Sequence, residues 1–499
     1  MSSVHRFTAF SKQSPKGILV IYGNLLYKLL KGTWFLLFLF IKDFSKMSEM
    51  TLVYIYIGIA VVLLLFLLRA FLLYKNFQFK ITDNHFVLKQ GILKKTNTSI
   101  SFDRIQNINF KQNIIQQLIQ VYEVSIETAG SIKTEIAIKA LSYERAQELK
   151  SQILLTENPF EDDSEMLEEK PLLKISVLEL LKVSLTENHF KSLLLFLAIL
   201  IGLYQQVKDL VKGLGKTYDF DSYFDEGAAV IYGSLILITI FLLLLILIGV
   251  LGSFVRIFLF HFNLTVFIKD QAFEINQGLT TKKSILLKKE KVQSITISTN
   301  PIKEKLGISY VVFKQAISGK VAKKKHKAIK IVGCKAVQVA KIKELLFDTE
   351  NLEIAEKYHS DTYYKTRMYF RASLILFVLN FVLYWSFEDV TLFFMNVLLV
   401  PFLWFLIYLS FKKTFYKVTA DLLLLGSGSL GTHYTYLPFF KVQNIEMKQN
   451  IFQEKRNIVD LVFQTAAGKI KIPCINKEKA IEIYNYTLYK VENSTAPWM

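Results

Sequence analysis

Apolar residues in this chain gather into long charge-free blocks, and between the blocks they alternate with polar ones. Residues 51–68 (TLVYIYIGIAVVLLLFLL), 192–206 (SLLLFLAILIGLYQQ), 227–255, 372–387 and 390–411 hold no charged side chain. Residues 17–41 are interrupted only by Lys28 and Lys31. A helix needs about 20 apolar residues to cross the hydrocarbon core. The pattern predicts six membrane helices in three pairs: 18–45 with 50–73, 190–206 with 228–260, and 368–387 with 390–411. In the first block, 18–31 reads as an interfacial amphipathic stretch before a span near 32–45, or the whole block as one tilted span. The N-terminal run is too long and too charged for a cleavable signal and leads into a second span.

After each pair comes a stretch rich in Val, Ile, Thr and Phe that alternates as half-buried strands do. These stretches repeat. The first holds Lys80-Ile81-Thr82-Asp83, Gly91 and Ile105-Gln106-Asn107-Ile108. The second holds Phe267-Ile268-Lys269-Asp270, Gly278 and Val292-Gln293-Ser294-Ile295. The third holds Lys417-Val418-Thr419-Ala420-Asp421, Gly428 and Val442-Gln443-Asn444-Ile445. The Gly-to-Gln spacing is 15 each time. The first and third copies share Lys-Gln-Asn-Ile-x-Gln at 111–116 and 448–453, whereas Pro301 interrupts the second. Each copy ends in a strand running into a helix, capped by Ser142 or Asn476 in the outer two, with Ala146, Ala340 and Ala480 at one helical position.

The predicted organisation is a tail (1–17), pair 1 (18–73), module 1 (75–155), an acidic linker with a juxtamembrane helix (156–189) and pair 2 (190–260). Module 2 (261–347), a linker (348–367), pair 3 (368–411), module 3 (412–492) and a tail (493–499) follow.

This pattern resembles the bacterial pleckstrin-homology-like (PH-like) modules of the second, YdbS-like type, which sit behind paired membrane helices. The three-module order resembles the YdbT-like membrane proteins. The resemblance implies, for each module, a seven-stranded β-barrel closed by a C-terminal helix. It also implies a smaller one-module membrane relative as partner, and a role in envelope stress or resistance to membrane-active peptides.

Charge sets the expected orientation. The connections within pairs are short or weakly basic, while the tail and modules are basic. The positive-inside rule then places the N-terminus and all three modules in the cytoplasm, on a multi-pass protein of the inner (plasma) membrane. The net charge is +19, and residues 261–347 alone hold 18 Lys against 5 acidic residues. Within them, Lys282, Lys283, Lys288, Lys289 and Lys291 sit on adjacent strands, and Lys323, Lys324, Lys325 and Lys327 in an inserted hairpin. Such a surface beside a bilayer attracts anionic phospholipid at about 1 kcal/mol per Lys. No nucleic-acid motif accompanies it.

Gln106, Gln293 and Gln443 are expected to satisfy a neighbouring strand or bulge amide. Gly91, Gly278 and Gly428 are expected at a turn or bulge that needs unusual backbone angles. Composition narrows the classes further. At 52% hydrophobic residues and 14% aromatic, the chain is not disordered. Two cysteines, Cys334 and Cys474, make no disulfide framework; they are read as packing residues at equivalent repeat positions. The seven scattered His form no metal motif, and no nucleophile elbow or phosphate loop occurs. No catalytic residue, metal site or cofactor is therefore expected. The reading is a non-enzymatic scaffold or adaptor whose modules bind anionic headgroups, each other or a partner membrane protein, as one copy or as a homo-oligomer. The alternative is a transporter or exporter gated by the modules. The spans carry almost no internal charge to mark such a pathway.

Overall fold

The computed structural model describes residues 7–43, 48–82, 85–128, 136–155, 170–187, 189, 192–202, 235–269, 272–316, 328–347, 352–387, 393–394 and 396–495. The acidic stretch 156–169 and the inserted hairpin with Lys323, Lys324, Lys325 and Lys327 lie outside the described residues.

Four described helices are long and apolar enough to cross a membrane: Glu49–Lys75, Thr239–His261, Tyr363–Ser386 and Asn396–Lys413. Leu, Ile, Val and Phe stand exposed around their circumference, for example Leu64, Leu65, Leu247, Phe377 and Leu398. A helix apolar all round is stable in lipid and not in water. The first block forms one unbroken helix, Gly17–Asp43, packed on Glu49–Lys75, with no break between an interfacial and a spanning part. The third block, 192–206, gives a shorter described helix, Ser192–Gly202. Gly249 faces Leu193 there, and Ser253 Oγ lies 3.1 Å from Ser192 Oγ, so small residues bring these two helices close. Asn380 and Asn396, on the helices Tyr363–Ser386 and Asn396–Lys413, bond reciprocally at 3.0 and 3.3 Å.

Module 1 consists of β1 (Ser11–Lys12), β2 (Gln78–Thr82), β3 (His85–Gln90), β4 (Thr96–Ser101), β5 (Ile105–Gln112), β6 (Val121–Thr128) and β7 (Ile136–Ser142). Module 2 consists of β8 (Leu173–Lys174), β9 (Thr265–Lys269), β10 (Ala272–Gln277), β11 (Lys282–Lys288), β12 (Val292–Thr299), β13 (Ser309–Gln315) and β14 (Ile329–Cys334). Module 3 consists of β15 (Tyr358–His359), β16 (Phe415–Val418), β17 (Leu422–Ser427), β18 (Thr432–Pro438), β19 (Val442–Lys448), β20 (Ile458–Thr465) and β21 (Gly468–Asn476). The helices Tyr143–Leu155, Ala336–Leu346 and Lys477–Glu492 follow the last strand of each.

Two features differ from the expected barrels. First, the stretches read as tail and linkers are part of the modules. Short β1, β8 and β15 precede each helical pair and add an edge strand to the module that follows it. The chain thus leaves and re-enters one body on either side of each pair, as a membrane hairpin requires. Second, the seven strands of a module do not form one sheet. They divide four and three, and the trios of modules 1 and 2 continue into the next module's quartet. The sheet orders are β1-β2-β3-β4, β7-β6-β5-β11-β10-β9-β8, β14-β13-β12-β18-β17-β16-β15 and β19-β20-β21. An exposed row of unpaired amides and carbonyls favours pairing, and here the neighbouring module supplies the partner. The cores follow the sheets. Ala272 and Leu286 of module 2 pack in the module 1 core, and Phe415, Leu422, Leu424 and Tyr436 of module 3 in the module 2 core.

The closing helices bury one face. Asn476 caps the last one, its side chain accepting from the Glu478 amide at 2.8 Å. Ala146 and Ala480 share one buried helical position, but in module 2 that place belongs to Val339, and Ala340 is exposed, one residue out of the expected register. The two cysteines are both buried yet one position out of register. Gly333 (φ +74°) and Cys474 (φ +48°) share the left-handed backbone position, and Cys334 is the next residue.

Candidate functional site

The recurring Gly and Gln residues are backbone devices. Gly91, Gly278 and Gly428 have φ of +116°, +105° and +124°. A Cβ on any of them would fall 2.0–2.2 Å from the carbonyl oxygen three residues on. Only glycine fits that turn. The pairing of β5 with β6, β12 with β13 and β19 with β20 shifts register at Ile105/Asn107, Val292/Ser294 and Val442/Asn444. Gln106, Gln293 and Gln443 are therefore the extra residue of a β-bulge in each module. Gln293 is buried and Gln443 exposed. The shared Asn-Ile-x-Gln is a capping box: Asn113 with Gln116, and Asn450 with Gln453. Asn300 holds the same cap in module 2, with Pro301 at the first helical position, where a missing N–H costs nothing.

These devices set the trio's edge strand against the next module. In the first seam Gln112 opposes Lys282 and Asn107 opposes Leu287. In the second, Thr299 opposes Thr432 and Ile295 opposes Tyr436. Counted from each module's Gly and Gln, the two registers are identical: the sixth residue after Gln meets the fourth after Gly. Polar side chains bridge both seams. Asn107 Nδ2 donates to Gln315 Oε1 at 2.8 Å, and Thr296 Oγ1 lies 3.0 Å from Thr435 Oγ1. His433 Nδ1 lies 2.9 Å from Ser298 Oγ, and Lys441 Nζ donates to the Glu290 carbonyl at 2.8 Å. Burial lowers the Lys441 ammonium to a pKa of about 8.

Clefts open where the seams meet the ends of the apolar helices. At the first seam a cleft of about 590 Å³ is lined by Tyr122, Tyr143, Asn263, Glu274, Lys282 and Lys283. The second, of about 390 Å³, is more basic: Lys314, Arg367, Arg371, Lys469 and Lys471 line it, with Thr414 and Ser427. Arg367 and Arg371 are one helical turn apart near the start of Tyr363–Phe387. Arg367 and Lys471 are anchored on Asp460, whereas Arg371 and Lys469 are exposed. Burial lowers the Lys314 pKa.

Of the lysines singled out by sequence, Lys282 is exposed and Lys283 half-buried, its Nζ 4.8 Å from the centre of the Phe260 ring. Lys289 is half-buried. Lys288 and Lys291 are buried, Lys291 beside Glu290 at 2.7 Å, so burial takes these two away from a headgroup surface. Lys288 lies on the face of β11 that carries Leu286 into the module 1 core, and Lys291 is the counterpart of Lys441. Sequence reading missed the second cleft. Its one local signal is the Arg-x-x-x-Arg at 367–371, at the module-side end of an apolar run.

A family profile described as Bacterial PH domain matches residues 36–156, 196–349 and 373–491. The chain is also 23% identical over 403 residues to the UPF0699 transmembrane protein YdbT of Bacillus subtilis (strain 168), covering 77% of this chain and 78% of the relative. Each profile match takes in part of a helical pair and the module after it. The chain thus belongs to the bacterial PH domain family, as a membrane-associated YdbT-like protein with three copies of the domain.

Proposed function

We propose that this protein is a non-enzymatic, multi-pass scaffold of the inner membrane. Six crossings carry one cytoplasmic body made of three joined modules, and that body holds anionic phospholipid headgroups at the two seam clefts. The observation that carries the reading is the second cleft, with Lys314, Arg367, Arg371, Lys469 and Lys471 beside the ends of two apolar helices. Headgroup phosphates lie at the depth where such helices end, and Arg is suited to fork onto phosphate. Lys282 and Lys283 add charge at the first seam. Arg69, Arg256, Arg371 and Lys412 stand toward the module side of their helices, which supports a cytoplasmic body under the positive-inside rule.

The test uses the full chain in a neutral detergent. Short-chain phosphatidylglycerol is expected to raise its thermal midpoint more than short-chain phosphatidylcholine does, and less so at high salt. Arg371→Glu with Lys469→Glu is expected to remove the difference. Equal shifts from the two lipids, or a difference that survives the double substitution, would overturn the headgroup reading.

A further inference from the structure

Among the described residues, two of the four sheets end on an edge strand whose counterparts elsewhere in the chain are paired. β4 is the last strand of the module 1 quartet, and β19 the first of the module 3 trio. In repeat terms β4 corresponds to β11 and β18, and β19 to β5 and β12. Both of those combinations form the seams inside the chain.

Exposure follows the same logic. Gln293 and Ser294 of β12 are fully buried, and Asn107 of β5 is buried; Gln443 and Asn444, their counterparts in β19, are exposed. The basic residue two positions before the bulge Gln is buried in modules 2 and 3, as Lys291 and Lys441, where it lies at a seam. In module 1 it is Arg104, which is exposed. The protein therefore carries one half of a seam at each end, and each half is complementary to the other by repeat position.

We propose that β4 of one copy pairs antiparallel with β19 of a second copy, extending the seam from chain to chain. The register follows from the two internal seams: Lys95 opposite Gln449, Asn97 opposite Met447, Thr98 opposite Glu446, and Ile100 opposite Asn444. Thr98 and Glu446 stand where Thr435 and Thr296 bond across the second seam. Arg104 stands where Lys441 donates to a carbonyl, so its acceptor is the Phe440 carbonyl of the second copy. The second copy is the occupant because this one chain supplies both complementary edges. The contact is heterologous and leaves an edge at each end, so it generates a ring or a row of chains in the membrane plane. It rests on the strand pairing and is independent of headgroup binding.

Two differently tagged full-length chains, one with Asn97→Cys and one with Met447→Cys, test the register when co-expressed and oxidised in native membranes. The expected result is a mixed-tag disulfide dimer, with far less product from Lys95→Cys paired with Met447→Cys. Absence of a mixed dimer, or equal yield from the offset pair, would overturn the proposal; an edge occupied by a smaller one-module protein gives the first of these. A second measurement uses Asn97→Pro, tolerated on an edge strand. In mild detergent it is expected to convert assemblies of several chains into single chains at unchanged thermal midpoint. Assemblies of the same size, or a wild-type chain that is already single, would contradict it.

Discussion

Arg367, in the second turn of an apolar helix, forks onto Asp460 of module 3, with Nη1 2.9 Å from Oδ2 and Nη2 3.4 Å from Oδ1. Asp460 sits at the bulge of β20, where it also accepts from the Cys474 amide at 2.8 Å and from Lys471 Nζ at 2.6 Å. One carboxylate thus ties the membrane helix to the module and holds Cys474 in its left-handed conformation. Both side chains of the Arg367 pair are under a tenth exposed. Removing one partner of a buried pair leaves the other charge uncompensated. Asp460→Asn is expected to cost about 3 kcal/mol, read as a lower thermal midpoint of the detergent-solubilised chain. A midpoint unchanged by the substitution would show that the tie carries no stability.

The same carboxylate gives a pH dependence. Burial pushes its pKa up, but the bonds from Arg367, Lys471 and the Cys474 amide outweigh that and hold it at about 2. An unfolded Asp titrates near about 3.9. The stabilisation is therefore fully present above about pH 4 and is lost as pH falls toward 2. Asp460→Asn should remove that part of the acid sensitivity. Thermal midpoints of the two chains are expected to differ most above pH 5 and to converge below pH 3; parallel curves would contradict the assignment.

Gly278 tests the frame that every module shares. A Cβ there would lie 2.1 Å from the Thr281 carbonyl oxygen, at φ +105°. Gly278→Ala forces the β10–β11 turn to move and should destabilise by about 2 kcal/mol or more. Gly307→Asn, at φ +65°, is the contrast. Its counterpart in module 3 is Asn457 at φ +54°, and no atom lies within 4 Å of the added Cβ, so little loss is expected. Equal losses from the two substitutions would deny Gly278 its special place.

The sequence made the repeat legible because the turn and the bulge constrain individual residues. Gly91, Gly278 and Gly428, and Gln106, Gln293 and Gln443, mark places where the backbone has few options. The apolar blocks were legible for the same reason: lipid admits few alternatives to an apolar helix. The seams were not. Whether β12 closes its own module or meets β18 depends on the geometry of edges, and alternation of apolar residues reads alike in both cases. The second cleft was hidden because Lys314, Arg367 and Lys469 come from three separate segments. The lysine surplus of module 2 was countable, but burial at the seam decides that Lys282 stays exposed while Lys288, on the same face of β11, is covered.

The central claim is that the modules are joined by continuous sheets, with the second seam pairing β12 to β18. Thr296 and Thr435 oppose each other there, their Oγ1 atoms 3.0 Å apart. The most direct measurement is disulfide formation in the full chain carrying Thr296→Cys and Thr435→Cys, oxidised in native membranes and mapped by mass spectrometry after proteolysis. The account predicts a cross-link within each chain, joining the peptides of modules 2 and 3. Cysteines that stay reduced and open to alkylation, in a chain that keeps its thermal midpoint, would contradict it.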